Sequence, residues 1–505
     1  MSICHPLPSF VRINTTRCGV MALCRAQCSL KKVRKRHIQG NAPMKYPRAM
    51  LTLAVAFCAT TSHATTFQAN FPSGSIGEVT RLDADGLQWQ LALRDDNDNA
   101  ALPHKFRAWW YVRANDVSVT KPMTLAFTRI GWNYEFRPVY SYDNKRWHYF
   151  EDGEARFEPG CRIAEPDTCR MTITKAFERP VVWIARTFPY TYADLRAYLR
   201  KFTFSPYVKR VGIGKSPILG KTVPVVRIAS PRQGQRQRIV IHARTHAAET
   251  GPSYVVEGLM NALTRNDALG QRLRDRYVFD IVPMHNIDGV QLGNYRTNGS
   301  SLNLENRWFM DKAVAFPISL LPEAPEENQQ LNRAVFAPAV SDQETPTVLA
   351  LNLHASNSAP NTQAFFFPHF GSDPARYSSE QSALWRKQLS FIRAVASHYD
   401  GRIEQPPADG GAGFLNSAFV ESWWWHHQQE QVNAITLETT YGRAGFDHWI
   451  TQDDLRRLGE ALALAIDGMD RPHSRSVRSL DDPARVNDVF REPFKPEIYE
   501  NEAEH

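Results

Sequence analysis

Four apolar runs, at 238–243, 277–284, 348–354 and 433–438, constrain this chain more than any other feature, and each closes on polar residues. Strands that are apolar throughout rather than alternating are buried on both faces, which is the condition of a parallel sheet covered by helices. Helical patterns alternate with such runs after Pro189, so the expectation is an α/β domain: a mixed, mostly parallel sheet with helices on both faces. Ligand sites in open α/β sheets gather at the carboxyl ends of strands. Chemistry is therefore sought in the residues that end these runs.

His246 and Glu249 follow the first run, on a turn that leads into the helical pattern at 254–263. Their i, i+3 spacing lets an imidazole and a carboxylate converge on one cation. His-x-x-Glu alone is weak evidence in a chain with 16 His, and a second pair, His427 and Glu430, follows the aromatic run Trp423, Trp424, Trp425. That second pair lies at no strand end and reads as helix packing and solvent contact. The first has company, because His354 ends the third run and supplies a third ligand. Three protein ligands with one open position mark a catalytic zinc, whereas a structural zinc takes four, usually with cysteine. His246, Glu249 and His354 are thus expected to hold one Zn2+ per chain. Glu438 closes the fourth run, and a carboxylate there is costly unless solvated or functional; it is the expected general base. His242, inside its strand, reads as packing or as support for the ligands.

The net charge of +8 suggests a polyanion partner until its location is considered. Residues 1–64 carry ten Lys or Arg and no acid, leaving 50 basic against 52 acidic residues in the rest. The electrostatic case for nucleic-acid binding therefore disappears. Within that front segment, 44–64 has the form of a secretory signal: Lys45 and Arg48, an apolar stretch at 50–59, and Ser62, His63, Ala64 as a cleavage site. The apolar stretch is too short to serve as a membrane anchor. Residues 1–43 read as a basic leader, mis-assigned at its start or disordered. The expectation is a periplasmic or secreted protein. Of seven cysteines only Cys161 and Cys169 lie beyond this segment, and in an oxidising compartment they form an even pair expected to bridge.

From 65 to 185 the sequence has short aromatic and β-branched runs, such as 106–112 and 123–130, between turn residues. That pattern reads as an antiparallel β-domain. The catalytic domain is expected over 186–470, its last helix starting at Thr451 with Asp454 in a capping box and stopping near Gly468. A charged tail occupies 471–505.

In order, these segments resemble the zinc metallocarboxypeptidase family, carboxypeptidase A-like, and most closely its cytosolic-carboxypeptidase branch. The resemblance rests on Phe188-Pro189-Tyr190-Thr191-Tyr192-Ala193-Asp194-Leu195, on Arg244-Thr245-His246-Ala247-Ala248-Glu249-Thr250, and on Asn286-Ile287-Asp288-Gly289. It continues through Gly293-Asn294-Tyr295-Arg296, Asn352-Leu353-His354 and Thr436-Leu437-Glu438-Thr439. It implies a zinc carboxypeptidase-like fold preceded by a β-sandwich domain, Arg296 as the arginine that polarises the scissile carbonyl, and Asn294 among the substrate-binding residues. One departure stands out. Where the family has Asp-Leu-Asn-Arg, clamping the substrate's terminal carboxylate, this chain has Asn303-Leu304-Glu305-Asn306-Arg307-Trp308. Either Asn306 and Arg307 do the clamping, or Glu305 stands in the clamp and repels a carboxylate.

The expected activity is zinc-dependent hydrolysis of an amide bond at the C-terminal end of a peptide. A deacylase or cell-wall amidase on the same scaffold is the enzymatic alternative, and a non-catalytic peptide- or glycan-binding module, with twelve Trp to line a groove, is the alternative from another class.

Overall fold

The computed structural model describes residues 64–469, except 133–135, 163–164, 166–167, 309–317, 321, 357–358 and 413–417, together with 490 and 495. The expected leader, the expected export signal apart from Ala64, and most of the expected tail lie outside the described residues. Strands Gln237–Ala243, Thr347–Ala355 and Asn433–Thr439 are buried along nearly their whole length, as their uninterrupted apolarity requires. With Tyr277–Val282 they form the parallel centre of a seven-stranded sheet. Antiparallel strands complete it: Thr222–Ile228 and Val208–Lys215 on one side, Phe365–Phe367 on the other.

The two faces of this sheet bury different residues. Ile239, Ile241, Leu351, Leu353, Ile435 and Leu437 pack into the main core with residues of helices Gly251–Thr264, Ser379–His398 and Gln452–Gly468. Val240, Ala350 and Ala434 face a second cluster of Trp308, Phe336, Trp423 and Trp424, the last two from helix Val420–Gln428. Side chains alternate along a strand, so His242, Asn352, His354, Thr436 and Glu438 share this second face. The polar residues that interrupt the strands thus fall on one side.

Thr451 caps the last helix as expected, its side chain accepting from the Asp454 amide while Asp454 accepts from the Thr451 amide. That helix crosses Gly251–Thr264 so closely that a β-carbon at Gly258 would run into the Arg456 carbonyl.

Residues ahead of this sheet form two five-stranded sheets packed as a sandwich. One orders Thr66–Gln68, Tyr111–Asn115, Val181–Ala185, Val139–Ser141 and His148–Tyr149; the other orders Val79–Arg81, Gln88–Ala92, Met123–Thr128, Met171–Lys175 and Ala155–Phe157. All neighbours are antiparallel except Gln88–Ala92 with Met123–Thr128. The run at 106–112 is only partly a strand. His104–Phe106 is a 3-10 turn, and the amides of Arg107 and Ala108 bond back to His104 and Phe106 carbonyls rather than across a ladder, so pairing starts at Tyr111. Cys161 and Cys169 are joined as a disulfide with Cα atoms 4.3 Å apart. The sandwich and the seven-stranded sheet belong to one compact unit, 62–505. Among the described residues no helix is long and apolar enough to cross a membrane.

Because Gly258 lies against backbone, a methyl there forces two helices apart. Gly258→Ala should destabilise the fold by about 1–3 kcal/mol, the usual cost of overpacking, read as a lower urea midpoint at unchanged m-value; an unaltered midpoint would show that the helices yield freely.

Candidate functional site

Gln237–Ala243 ends at Arg244, which adopts φ 64°, a left-handed conformation uncommon for a residue with a side chain. Its buried guanidinium holds that turn by donating to the Tyr190 carbonyl (3.0 Å), the Ser253 hydroxyl (2.8 Å) and the Ala247 carbonyl. Burial lowers the Arg244 pKa to about 10, still charged at neutral pH. The turn carries His246 and Glu249 back over the strand ends, where His354 arrives from the neighbouring strand.

Three groups converge there. Glu249 Oε1 lies 2.7 Å from His246 Nδ1, Glu249 Oε2 lies 2.9 Å from His354 Nδ1, and the two Nδ1 atoms are 3.1 Å apart. The Ala355 amide donates to Glu249 Oε2 (3.1 Å), fixing the carboxylate to the strand. The far ring nitrogens face oxygens: Asn303 Oδ1 is 3.2 Å from His246 Nε2, and Glu305 Oε2 is 3.1 Å from His354 Nε2. An oxygen acceptor beside Nε2, as Asn303 is for His246, selects the tautomer protonated there and leaves the Nδ1 lone pair for a cation, while Glu305 faces His354 Nε2 as a nearby charge. Ligand atoms about 3.3 Å apart are what a tetrahedral ion with ~2.0–2.1 Å bonds requires, and the observed separations lie close to it. Two imidazole nitrogens and a carboxylate, without sulfur, suit zinc. Potential ligand atoms of His246, Glu305 and His354 also fall within 4.8 Å of one another, so Glu305 belongs to the same cluster.

Electrostatics agree with a cation site. Burial would raise the Glu249 pKa, but the two imidazoles outweigh it and hold the carboxyl well below its ordinary range. Glu305 follows the same pattern, burial opposed mainly by His354, and falls to about 2. Burial pushes His354 down, yet Glu305 and Glu249 raise it well above the usual histidine value. Two ionised carboxylates in a water-poor cup create a strong demand for positive charge.

Glu438 stands beside His354, since the parallel register pairs those two residues and adjacent strands are ~4.8 Å apart. It is 8% exposed. Arg296 is buried, with its guanidinium 5.6 Å from the centre of the Phe106 ring. After burial, the charge of Arg296 is the next cause that lowers the His246 pKa, so the guanidinium is within electrostatic reach of the cluster. Asn306 is exposed and Arg307 half-buried, whereas Glu305 is turned inward under His354. The Asn294 amide is occupied within the protein, donating to Asn97 Oδ1 and to the Thr297 and Asn298 carbonyls and accepting from the Asn97 amide. His242 lies against His285 and Phe336, and burial lowers its pKa to about 3. His427 packs on Trp423, away from any strand end.

Sequence reasoning missed the layer beneath the cluster. Asn352 Nδ2 donates to Glu305 (2.9 Å) and to Glu421 (3.1 Å), and Thr436 donates to the same Glu421 oxygen. Burial first, then Glu305, raises the Glu421 pKa to about 7. The signal was present: Asn352 and Thr436 precede His354 and Glu438 by two residues, so each pair shares a face.

The profile of the zinc carboxypeptidase family matches residues 195–355, and that of the cytosolic carboxypeptidase N-terminal domain matches residues 67–186. The two matches give this chain a zinc carboxypeptidase domain preceded by a cytosolic carboxypeptidase N-terminal domain. It is 28% identical over 287 residues to cytosolic carboxypeptidase 2 of Homo sapiens, covering 50% of this chain and 30% of that protein. To cytosolic carboxypeptidase 6 of Caenorhabditis elegans it is 26% identical over 344 residues, covering 64% of this chain and 69% of that one. The fold is shared with a metallo-carboxypeptidase from Burkholderia cenocepacia, at TM-score 0.64 and 21% identity over 80% of this chain and 98% of that one. A metallo-carboxypeptidase from Pseudomonas aeruginosa gives TM-score 0.61 and 18% identity over 80% and 98%.

These relatives overturn the expected periplasmic or secreted location, since they are named cytosolic carboxypeptidases and the N-terminal match is to a cytosolic carboxypeptidase domain. The expectation rested on the charge and hydropathy of 44–64, a pattern that a short apolar stretch after basic residues produces without export, and the signal reading loses its support. The bond between Cys161 and Cys169 stands on geometry, not on that argument.

An expected ligand and its orienting neighbour predict different losses. His246→Ala should abolish tight zinc binding, whereas Glu305→Ala should keep the metal with affinity lowered roughly 10–100-fold, as for a lost orienting partner. Metal analysis and chelator competition separate the cases; complete loss of zinc in Glu305→Ala would make Glu305 a ligand in its own right.

Proposed function

We propose that this chain is a metallocarboxypeptidase that hydrolyses the amide bond at the C-terminal end of a peptide, with His246, Glu249 and His354 holding one zinc ion and Glu438 as general base. The supporting observation is the register that sets Glu438 beside His354, with both Nδ1 atoms and the Glu249 carboxylate converging next to it. Residues 186–470 form the catalytic unit in this reading, and 65–185 the preceding domain.

Zinc, when bound, supplies a Lewis acid that polarises a carbonyl and lowers the pKa of water to about 7. The protein's own groups do the rest. Glu438 takes a proton from the attacking water and delivers it to the leaving amine nitrogen. Arg296 donates to the carbonyl oxygen as negative charge develops there, a contact strengthened by its burial. Asn303 and Glu305 keep the imidazole rings from turning. With Glu305 drawn under His354, the clamp falls to Asn306 and Arg307. Among the described residues the Arg307 guanidinium has no hydrogen-bonding partner, which leaves its fork of donors for a terminal carboxylate.

Glu438→Gln keeps size and polarity but cannot accept the proton. Turnover should fall by at least ~10²-fold with zinc retained; undiminished turnover on peptide substrates would refute the mechanism. Arg307→Ala probes the substrate instead. Activity on free-acid peptides should fall at least ~10-fold more than on their C-terminal amides, the loss expected for a charge-assisted bidentate contact. Equal losses on both would favour a deacylase or amidase on this scaffold.

A further inference from the structure

The loop that carries Arg296 is built around a side chain from the other domain. Asp96 sits in the 3-10 turn Asp96–Asp98 of the sandwich and is 3% exposed. Its carboxylate accepts from the Tyr295 amide (2.6 Å), the Arg296 amide (2.9 Å), the Thr297 amide (2.8 Å) and the Thr297 hydroxyl (3.0 Å). Three consecutive amides converging on one carboxylate define a tight backbone curve, with Arg296 at its middle.

Neighbouring contacts point the same way. Asn97 and Asn294 are joined by reciprocal bonds, the Asn97 amide to Asn294 Oδ1 (3.1 Å) and Asn294 Nδ2 to Asn97 Oδ1 (2.9 Å). Asn97 Nδ2 also donates to the Asn298 carbonyl (2.9 Å), and Arg94 donates to the Leu292 carbonyl (2.6 Å). Gly293 has φ 74°, and a β-carbon on it would collide with the Gly74 carbonyl. The Arg296 guanidinium itself lies against Phe106, another sandwich residue. On the catalytic side, the Tyr295 carbonyl accepts from the Ala248 amide (2.8 Å), tying the loop to the turn between His246 and Glu249.

We infer that the β-sandwich domain completes the active site, with Asp96 as a positioning residue that holds the backbone of Arg296 at the distance and direction its guanidinium needs. The inference rests on the reading of Arg296 as the group that stabilises the reacting carbonyl. Asp96 touches neither substrate nor metal ligands; it acts through the loop. A misplacement of about 1 Å at such a group costs as much as ~10²-fold in rate, so the loss of four bonds to one carboxylate reaches turnover.

The test is a double-mutant cycle on the full chain with zinc bound. Asp96→Ala should lower kcat roughly 10–100-fold with KM changed less than ~3-fold, zinc content unchanged, and faster amide hydrogen exchange across 292–301. Asp96→Asn keeps one acceptor oxygen, and should recover part of the rate. In an Arg296→Ala background, either Asp96 substitution should cost less than ~2-fold further, because the group being positioned is gone. Asp98→Asn, an exposed neighbour 73% open to solvent, should behave as the unsubstituted protein. An equal Asp96 loss in both backgrounds would overturn the inference while leaving the role of Arg296 intact, as would faster exchange with unaltered kcat. Undiminished kcat in Arg296→Ala alone would overturn the reading of Arg296 on which the inference rests. Should Asp96→Ala fail to fold, Asp96→Asn in the two backgrounds carries the same comparison.

Discussion

The Glu249 carboxylate is the interaction on which this site depends. One oxygen meets His246 and the other meets His354 and the Ala355 amide, so a single side chain joins a turn, a helix entrance and the end of a neighbouring strand. An ion buried this deeply costs several kcal/mol unless opposite charge and hydrogen bonds compensate. The surroundings supply both. Arg244 fixes the turn beside it, and the imidazoles keep the carboxyl ionised. Geometry and charge are therefore one problem with one solution: groups close enough to stabilise the carboxylate are also close enough to share a cation.

Glu305 shows how a family feature can be altered without loss of the fold. At a place where a carboxylate-binding amide was expected, an acid would repel substrate if it faced the cleft. It faces His354 instead, and Asn352 links it to Glu421. Burial first, and then the Glu305 charge across the shared amide, pushes Glu421 up to about 7, whereas Glu305, despite its burial, is held down at about 2 mainly by His354. The added negative charge is thus absorbed on the inner side of the metal cluster, and Arg307 is left to the outside.

Much of this was legible in the sequence. Apolar runs ending in His and Glu located the sheet centre and the cluster, because burial on both faces keeps most positions of such a strand apolar and makes the polar ones stand out. Ordered motifs identified the family. The run at 106–112 misled because local turn bonds at Arg107 and Ala108 override a β-forming composition. Asp96 was invisible for a different reason: its partners lie 199 to 201 residues away, and no local pattern distinguishes it from the acids beside it. The location failed because hydropathy near the start of a chain is an ambiguous address.

The sheet order has a consequence for how the protein is made. His354 follows Glu249 by 105 residues, about 5 to 20 s of synthesis at the usual ~5–20 residues per second. During that interval the His246–Glu249 turn has left the ribosome with half of its partners unmade, and the strand bearing Glu438 emerges later still. The central strands cannot reach their final pairing until Asn433–Thr439 is available, so the cup comes into being only after that strand has been made. With the proposed ligands, zinc is therefore captured only after these strands pair, and an interrupted chain that stops short of His354 carries the first half of the motif without the proposed third ligand.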